Sequence, residues 1–375
     1  MNLEFLRPLY DEVGAYVSVY LDTDPASEDA AEATGLRWRA AREELAVAGA
    51  SPATLDAVGA AIEGGGPARG RAVFARAGAV TFTSALDAPP RRPIARLAPL
   101  PHLMPLLAQH RPPVPHVRVS VTRKGGEIMA VGGTGQQWRD WFTGRTWPVH
   151  KTPAGGWSQD KHQRSAEETW EENAKALAAK VTEAADRIKA RHIIVAGDVR
   201  ARTLLVSHLP AVLAESASVF GEEIGLNSPA MIEAADQALS EWAEHAVRER
   251  FDDWQDKLAH DLAAQGLAQV MTAFRNGQVS ALFIADDPSS TAAAWIGPGG
   301  SDLAASRAEL TQYGVADPAQ DRADAALVRA VARTDAELHF LPGDAVQTGD
   351  PAACGHIVRP RDGVGATLRF SLTGS

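Results

Sequence analysis

The sequence predicts a mixed α/β (α+β) protein of three domains, and three observations support this prediction. The chain has 375 residues, which at roughly 100–200 residues per domain suffices for two or three domains. Short runs rich in β-branched and aromatic residues alternate with longer stretches of helical composition, as in sheets layered against helices. Proline-rich joints divide the chain, so we expect domains at 1–112, 113–228 and 229–375.

The first domain, 1–112, is predicted to be a small α/β unit. Its strands are indicated by β-branched and aromatic residues, and Ala77-Gly78 provides a tight turn between two of them. The predicted elements are a strand at 15–21, a helix at 30–48 and hairpin strands at 72–75 and 79–83.

The middle domain, 113–228, is predicted to combine a second hairpin, turning at Gly125-Gly126, with helices and short buried strands. Ser165 and the glutamate three residues later form a capping box, which predicts that a long helix begins there. Asp198 directly follows a buried strand, where it either caps the next helix or supplies a functional carboxylate. The predicted elements are hairpin strands at 117–121 and 127–131, helices at 165–190 and 201–215, and strands at 192–197 and 217–220.

The third domain, 229–375, is predicted to open with a long helix, because Pro229 suits a first helical turn. Apolar residues recur at steps of about three to five residues from Leu239 to Leu258, which is typical of an amphipathic helix. The later predicted elements are strands at 279–284, 337–341 and 365–370 and a helix at 323–334.

The composition is ordinary for a globular protein, with 45% hydrophobic and 22% charged residues. No apolar run approaches the roughly 18 residues of a membrane span, and no basic-then-apolar leader is visible. Cys354 is the only cysteine, which excludes an intramolecular disulfide and suits a reducing compartment. We therefore expect a cytoplasmic protein that has no membrane partner.

Charge is distributed unevenly along the chain. The net charge is −10, which alone argues against nucleic-acid binding. The window 113–164, however, holds eight Lys or Arg against three acids, and five of the nine tryptophans fall in it or just beyond it. Interleaved cations and aromatic rings suit RNA. The alternative is a solvated loop whose tryptophans anchor it to its own domain.

Gly155 and Gly156 stand in this window directly before a short segment that ends in Gln159. Two adjacent glycines permit positive φ angles and close backbone approach. We therefore expect a mobile glycine loop that carries an amide side chain and can enter a tight, anionic place. The candidate contact residues for RNA are Arg139, Arg145, Lys151, Gly155, Gly156, Trp157, Ser158, Lys161, His162 and Arg164.

The common signatures of catalysis are missing. The sequence contains no G-x-x-x-x-G-K-[ST] phosphate loop, no H-E-x-x-H pair and no G-x-S-x-G elbow. His192 and His208 have no metal-like spacing with other ligands, and the acids at 167–172 suit the first turns of a helix. We therefore predict no cofactor and no metal site.

The order of these features resembles the archaeal and eukaryotic class-one peptide-chain release factors, a superfamily that includes Pelota. The sharpest matches are the segment from Gly155 to Gln159, the strand and loop at 193–198, and the stretch at 363–370. The chain is more similar to the bacterial branch of the superfamily, to which the ribosome hibernation factor Balon belongs. The resemblance covers nearly the whole chain and implies the same three-domain arrangement.

In these release factors a Gly-Gly-Gln tip enters the peptidyl-transferase centre, where the glutamine helps water to cleave the peptidyl-tRNA ester. By resemblance, Gly155 and Gly156 match the two glycines and Gln159 is the candidate catalytic residue. Trp157 and Ser158 displace this glutamine by two residues. The Asn-Ile-Lys-Ser motif that serves stop-codon reading is missing, so we do not expect stop-codon recognition.

The resemblance leaves two functions open. The first is a binding factor that occupies the ribosomal A site, directs 145–164 towards the peptidyl-transferase centre of idle ribosomes, and is delivered by elongation factor Tu. The second is a peptidyl-tRNA hydrolase for codon-independent release or ribosome rescue, in which Gln159 positions water and Lys161 or Arg164 holds phosphates. Both imply the ribosome and its rRNA as partners, and neither implies DNA. The displaced glutamine favours the binding factor.

Overall fold

The computed structural model describes residues 1–11, 14–26, 29–109, 114–133, 135–145, 156–221, 225–341 and 359–371, with the backbone alone for 156–166. The chain divides into two compact units. One consists of Met1–Arg111 together with Val247–Ser375, and the other is Pro112–Ala246. Within the described residues, helices alternate with the strands of four sheets, which confirms the predicted mixed α/β class. The division into three domains stays a prediction.

The first part of the chain folds as an antiparallel sheet of order β3-β2-β1-β4 with helices packed on it. Residues of the two longer helices, such as Leu45 and Val58, meet the inward side chains of β1 and β2 in one apolar core. A 3-10 helix, Glu4–Tyr10, precedes these elements. The elements are β1 (Tyr16–Asp22), α1 (Ala30–Val47), α2 (Pro52–Glu63), β2 (Gly70–Arg76), β3 (Ala79–Leu86), β4 (Ile94–Ala98) and α3 (Met104–Gln109).

The middle unit is a five-stranded mixed sheet of order β7-β6-β5-β8-β9. The first three strands pair antiparallel, whereas β5, β8 and β9 run parallel. Leu177 and Val181 of the long helix and Leu205 of the next helix cover one face of the sheet. The elements are β5 (His116–Thr122), β6 (Gly125–Val131), β7 (Gln137–Thr143), α4 (Gly156–Ile188), β8 (His192–Gly197), α5 (Val199–Ser207), α6 (Ala211–Glu215) and β9 (Ala217–Val219).

The predicted start of the long helix is wrong. Helix α4 begins at Gly156 rather than at Ser165. The residues between these positions include no proline and no further glycine, so nothing in them opposes a helix. The S-x-x-E pattern therefore lies inside the helix and does not cap it.

Two further boundaries in this unit differ from their predictions. The hairpin turn is Arg123-Lys124, and Gly125 already begins β6 with φ +144°. A Cβ at this glycine would overlap the backbone carbonyl of Phe142, so glycine serves close strand approach rather than the turn. The helix predicted at 201–215 is divided into α5 and α6 at Pro210, because proline has no amide hydrogen to continue a helix.

The last part of the chain contains a long helix, a four-stranded mixed sheet of order β10-β16-β11-β15 and a small antiparallel sheet of order β13-β12-β14. The elements are α7 (Pro229–Leu258), β10 (Ala263–Gln265), α8 (Leu267–Arg275), β11 (Val279–Ile284), β12 (Ala293–Ile296), β13 (Leu303–Ala304), α9 (Arg307–Gln312), β14 (Ala319–Arg322), α10 (Ala323–Thr334), β15 (Glu337–Phe340) and β16 (Val364–Leu368).

The first and last parts of the chain share one apolar core. Leu3 and Leu6 are buried in the same cluster as Leu327 and Val331 of α10. Polar contacts reinforce this packing, because Arg7 pairs with Asp335 and donates from Nε to the carbonyl of Ala332 at 3.0 Å. No helix in the described part of the chain is long and apolar enough to cross a bilayer.

Candidate nucleic-acid interface

The residues predicted to contact RNA and the candidate catalytic residue Gln159 fall in three places. Lys151 and Gly155 lie outside the described residues. Arg139 lies on β7, and Arg145 follows the end of that strand. The others belong to α4, so Gln159 lies in the first turn of a helix rather than at a loop tip. The α4 residues are Gly156, Trp157, Ser158, Gln159, Lys161, His162 and Arg164.

Asn173 of α4 fastens the end of the β7 segment to the helix. Its Oδ1 accepts a hydrogen bond from the Arg145 amide at 2.9 Å. Its Nδ2 donates to the carbonyl of Arg145 at 3.1 Å and to the carbonyl of Arg123 at 3.3 Å. Asn173 is only 6% exposed, so these bonds are largely shielded from water. Arg145, the residue before 146–155, therefore has a defined position beside α4.

Gly144 allows this contact to form. Its amide donates to the Lys124 carbonyl at 2.7 Å, and a Cβ on it would overlap the side-chain amide of Asn173. Any larger residue would push the end of β7 away from α4. We call the five residues Arg123, Lys124, Gly144, Arg145 and Asn173 the loop joint.

Arg123 links the loop joint to the start of α5. Its guanidinium lies 4.8 Å from the centroid of the Trp170 ring and 3.0 Å from a carboxylate oxygen of Asp198. Asp198 also accepts hydrogen bonds from the amides of Arg200 at 3.0 Å and Ala201 at 3.1 Å. The structure therefore confirms that Asp198 caps the following helix.

Asp198 carries a negative charge in its ion pair with Arg123. Partial burial raises the pKa of the carboxyl, but the hydrogen bonds from Arg123 and from the Ala201 and Arg200 amides outweigh it. The pKa of Asp198 consequently lies below its ordinary value, so the carboxylate is ionised at neutral pH.

Besides Arg123, the loop joint holds two exposed cations, Lys124 in the hairpin turn and Arg145. Arg139 is exposed farther back on β7. Arg145 lies 3.8 Å from Glu172, and both side chains are mostly exposed. Such exposed pairs contribute little stability, about 0–1 kcal/mol, so an anionic ligand can replace the carboxylate at small cost.

The buried histidines near the sheet do not add to this positive charge. Burial lowers the pKa of His116 to about 4, and it also lowers the pKa of His192. Both rings are therefore neutral at pH 7. Among the described residues, no three His, Cys, Asp or Glu side chains are arranged to hold a metal ion.

The arrangement suits binding of phosphates and bases. Exposed guanidinium and ammonium groups bind the phosphate backbone, and indole rings beside them stack on unpaired bases. Sequence reasoning missed Asn173, whose role depends on partners 28 and 50 residues away. The only local signal was one neutral amide in the run Glu171-Glu172-Asn173, where the neighbouring acids are solvated.

Several known proteins are similar to this chain. A family model described as bacterial archaeo-eukaryotic release factor family 2 matches residues 115–275. The uncharacterized proteins Rv2629 and MT2704, from two strains of Mycobacterium tuberculosis, are each 29% identical over 388 residues. The alignment covers 100% of this chain and 98% of each relative.

Solved structures with similarity to the chain include Pelota and Dom34. Pelota of Archaeoglobus fulgidus is 16% identical, with a TM-score of 0.35 and coverage of 81% of this chain and 80% of that one. Dom34 of S. cerevisiae, described as a translation termination-like factor, is 12% identical, with a TM-score of 0.39 and coverage of 78% and 73%. Residues 115–275 are therefore similar to the bacterial archaeo-eukaryotic release factors of family 2.

Proposed function

We propose that this chain, as a relative of the bacterial archaeo-eukaryotic release factors, is a translation factor that binds the ribosome. It occupies the A site and directs 145–164 towards the peptidyl-transferase centre of idle ribosomes, which is a role in hibernation. The observation that carries the proposal is the loop joint. Arg145 at one end of the segment is held by Asn173 of α4, and Gly156 at the other end begins the same helix.

The charge pattern supports an RNA partner for this segment. Eight Lys or Arg against three acids in 113–164 contrast with the net charge of −10 for the whole chain. An acidic body with one basic region is repelled by phosphates except where that region faces them. Binding through it displaces condensed counterions, so the affinity for ribosomes falls as salt is raised.

A second candidate function is hydrolysis of peptidyl-tRNA during ribosome rescue. The observation that favours it is the sequence from Gly155 to Gln159, which retains two glycines and a glutamine at the start of α4. In this reaction the glutamine positions the water that attacks the ester. A helical backbone at Gln159 differs from a loop tip, and placement errors of about 1 Å can cost roughly a hundredfold in rate. The binding role is therefore our first proposal.

One experiment separates these functions. Purified 70S ribosomes that carry a labelled peptidyl-tRNA are sedimented with the wild-type chain, with Gln159→Ala and with a matched control, Gln163→Ala. Bound protein and released peptide are measured together, with and without elongation factor Tu and GTP.

We expect all three proteins to sediment with ribosomes and none to release peptide. Release that Gln159→Ala abolishes and Gln163→Ala retains would establish the hydrolase instead. Absence of the wild-type chain from the ribosomal pellet at moderate salt would refute both functions. Binding that depends on elongation factor Tu would identify it as the delivery partner.

A further inference from the structure

Strand β7 exposes unusually large side chains. Its sequence, Gln137–Thr143, places two tryptophans and an arginine on the outermost strand of the five-stranded sheet. Trp141 is 71% exposed and Trp138 is 39% exposed. Trp rings normally stabilise a protein by burial, so two accessible indoles on one short strand call for a partner that covers them.

The two tryptophans lie on opposite faces of the strand. Trp138 shares a face with Asp140, whose carboxylate accepts a hydrogen bond from Lys180 of α4 at 2.7 Å. Trp141 shares the other face with Arg139, two residues before it. Trp141 is paired in register with Glu127 of β6, and Glu127 is also exposed. Regular backbone pairing with β6 therefore fixes the position of Trp141 at the edge of the sheet.

One cation shares the face of Trp141 on the strand. Arg139 precedes it by two residues, whereas Lys124 and Arg145 belong to the loop joint at the end of the strand, where Arg145 lies beside Glu172 of α4. Residues two apart on a strand are roughly 7 Å apart, so a guanidinium stands within reach of a ligand stacked on the indole. An exposed aromatic ring with a cation beside it, on a surface of net positive charge, is an arrangement that binds single-stranded nucleic acid.

We propose that the outer strand β7 is a binding surface for single-stranded RNA, with Trp141 as a stacking platform for one unpaired base. Arg139, which shares the face of Trp141, contacts the adjacent phosphate. This inference rests on the proposed function, since the ribosome supplies the RNA, and it adds a contact outside 146–164. The charge favours RNA over an added peptide strand, because Arg139 and the other cations of the window 113–164 outnumber its acids, Glu127 included.

The surface is tested by fluorescence anisotropy with a fluorescein-labelled single-stranded RNA dodecamer of mixed sequence, and with the same RNA as a duplex. The full chain is compared with Trp141→Ala, the conservative Trp141→Phe, and Arg139→Ala. Tyr313→Ala is the matched control, since Tyr313 is 63% exposed and lies in the other compact unit. Thermal unfolding of each variant verifies that the fold is intact.

We expect Trp141→Ala to weaken binding of the single strand by about 5- to 150-fold, whereas Trp141→Phe retains most of the affinity. Arg139→Ala should reduce the slope of log affinity against log salt by about 0.7, a change that Trp141→Ala does not cause. Tyr313→Ala should bind like the wild type. Equal affinity of the wild type and Trp141→Ala overturns the inference, and so does a wild type that does not bind the single strand.

Parallel sedimentation with 70S ribosomes keeps the two proposals apart. A chain that sediments with ribosomes while Trp141→Ala binds the dodecamer normally defeats the inference and leaves the function standing. A chain that does not sediment but loses dodecamer binding in Trp141→Ala defeats the function and supports the RNA surface.

Discussion

The buried amide of Asn173 permits the sharpest test of the loop joint. Replacing Asn173 by Ala removes three hydrogen bonds, one from the Arg145 amide and two to the carbonyls of Arg145 and Arg123. Each such bond contributes about 0.5–1.5 kcal/mol net. Arg145 is exposed enough for water to replace part of the loss. We therefore expect Asn173→Ala to lower the free energy of unfolding of the middle unit by about 2–3 kcal/mol.

Two measurements check this expectation. Urea unfolding gives the change in stability, and native-state hydrogen exchange reports the Arg145 amide, whose acceptor is lost. A local loss of about 1.4 kcal/mol speeds exchange of that amide roughly tenfold. Asn173→Asp is the companion variant, because it keeps the acceptor for this amide but loses both donated hydrogen bonds. Asn276→Ala, which removes one hydrogen bond to Gln278, is the control and should cost under about 1.5 kcal/mol.

The refuting result is clear. Unchanged exchange at Arg145 in Asn173→Ala would mean that the side-chain amide does not hold the end of β7. Equal destabilisation by Asn173→Ala and Asn276→Ala would also contradict the reasoning, since the number of hydrogen bonds would then not matter.

Three further predictions follow from the same contacts. Gly144→Ala should destabilise the chain by about 1–3 kcal/mol through overlap with the joint, whereas Gly133→Ala, 3.5 Å from its nearest neighbour, should cost little. Asp198→Ala should cost about 1–2 kcal/mol through loss of the cap on α5. Burial lowers the pKa of His102 and His116 to about 4, so acidification from pH 7 to pH 5 should cost about 2 kcal/mol for each.

The sign of the pH effect follows from proton uptake. An unfolded histidine has a pKa of about 6.5 and binds a proton before the folded one does, so stability present above pH 6.5 is lost as the pH falls towards 4. Urea unfolding at pH 7 and pH 5 measures the change in the free energy of unfolding, and His116→Gln should make this free energy depend less steeply on pH.

Equal thermal stability of Gly144→Ala and Gly133→Ala would show that the contact at Gly144 is not formed as described. No effect of Asp198→Ala in urea would show the same for the cap on α5.

Elements with a strong local pattern could be predicted from the sequence. The continuous apolar run of β8 and the helix α10 were expected at their observed positions, as was the long helix α7 from Pro229. In each case, the residues that form the element also carry its signal, namely apolar periodicity or a proline at a first turn.

Elements that depend on distant partners could not be predicted. Strands β12, β13 and β14 have only two to four residues each, so their register is set by pairing rather than by propensity. The same holds for the loop joint, because Asn173 meets residues from two other segments. The displaced start of α4 has a different cause, since a capping pattern can also occur inside a helix.

The core shared by the two ends of the chain has a consequence for synthesis. Arg333 donates to Asp11 at 2.8 Å across 322 residues, and Leu3 and Leu6 pack with residues of α10. At roughly 5–20 residues per second, these partners leave the ribosome on the order of tens of seconds apart. The middle unit can fold in that interval, whereas Leu3 and Leu6 stay exposed until α10 has been synthesised. During that time the nascent chain exposes an apolar surface, so its need for chaperones depends on how quickly the last third of the protein is synthesised.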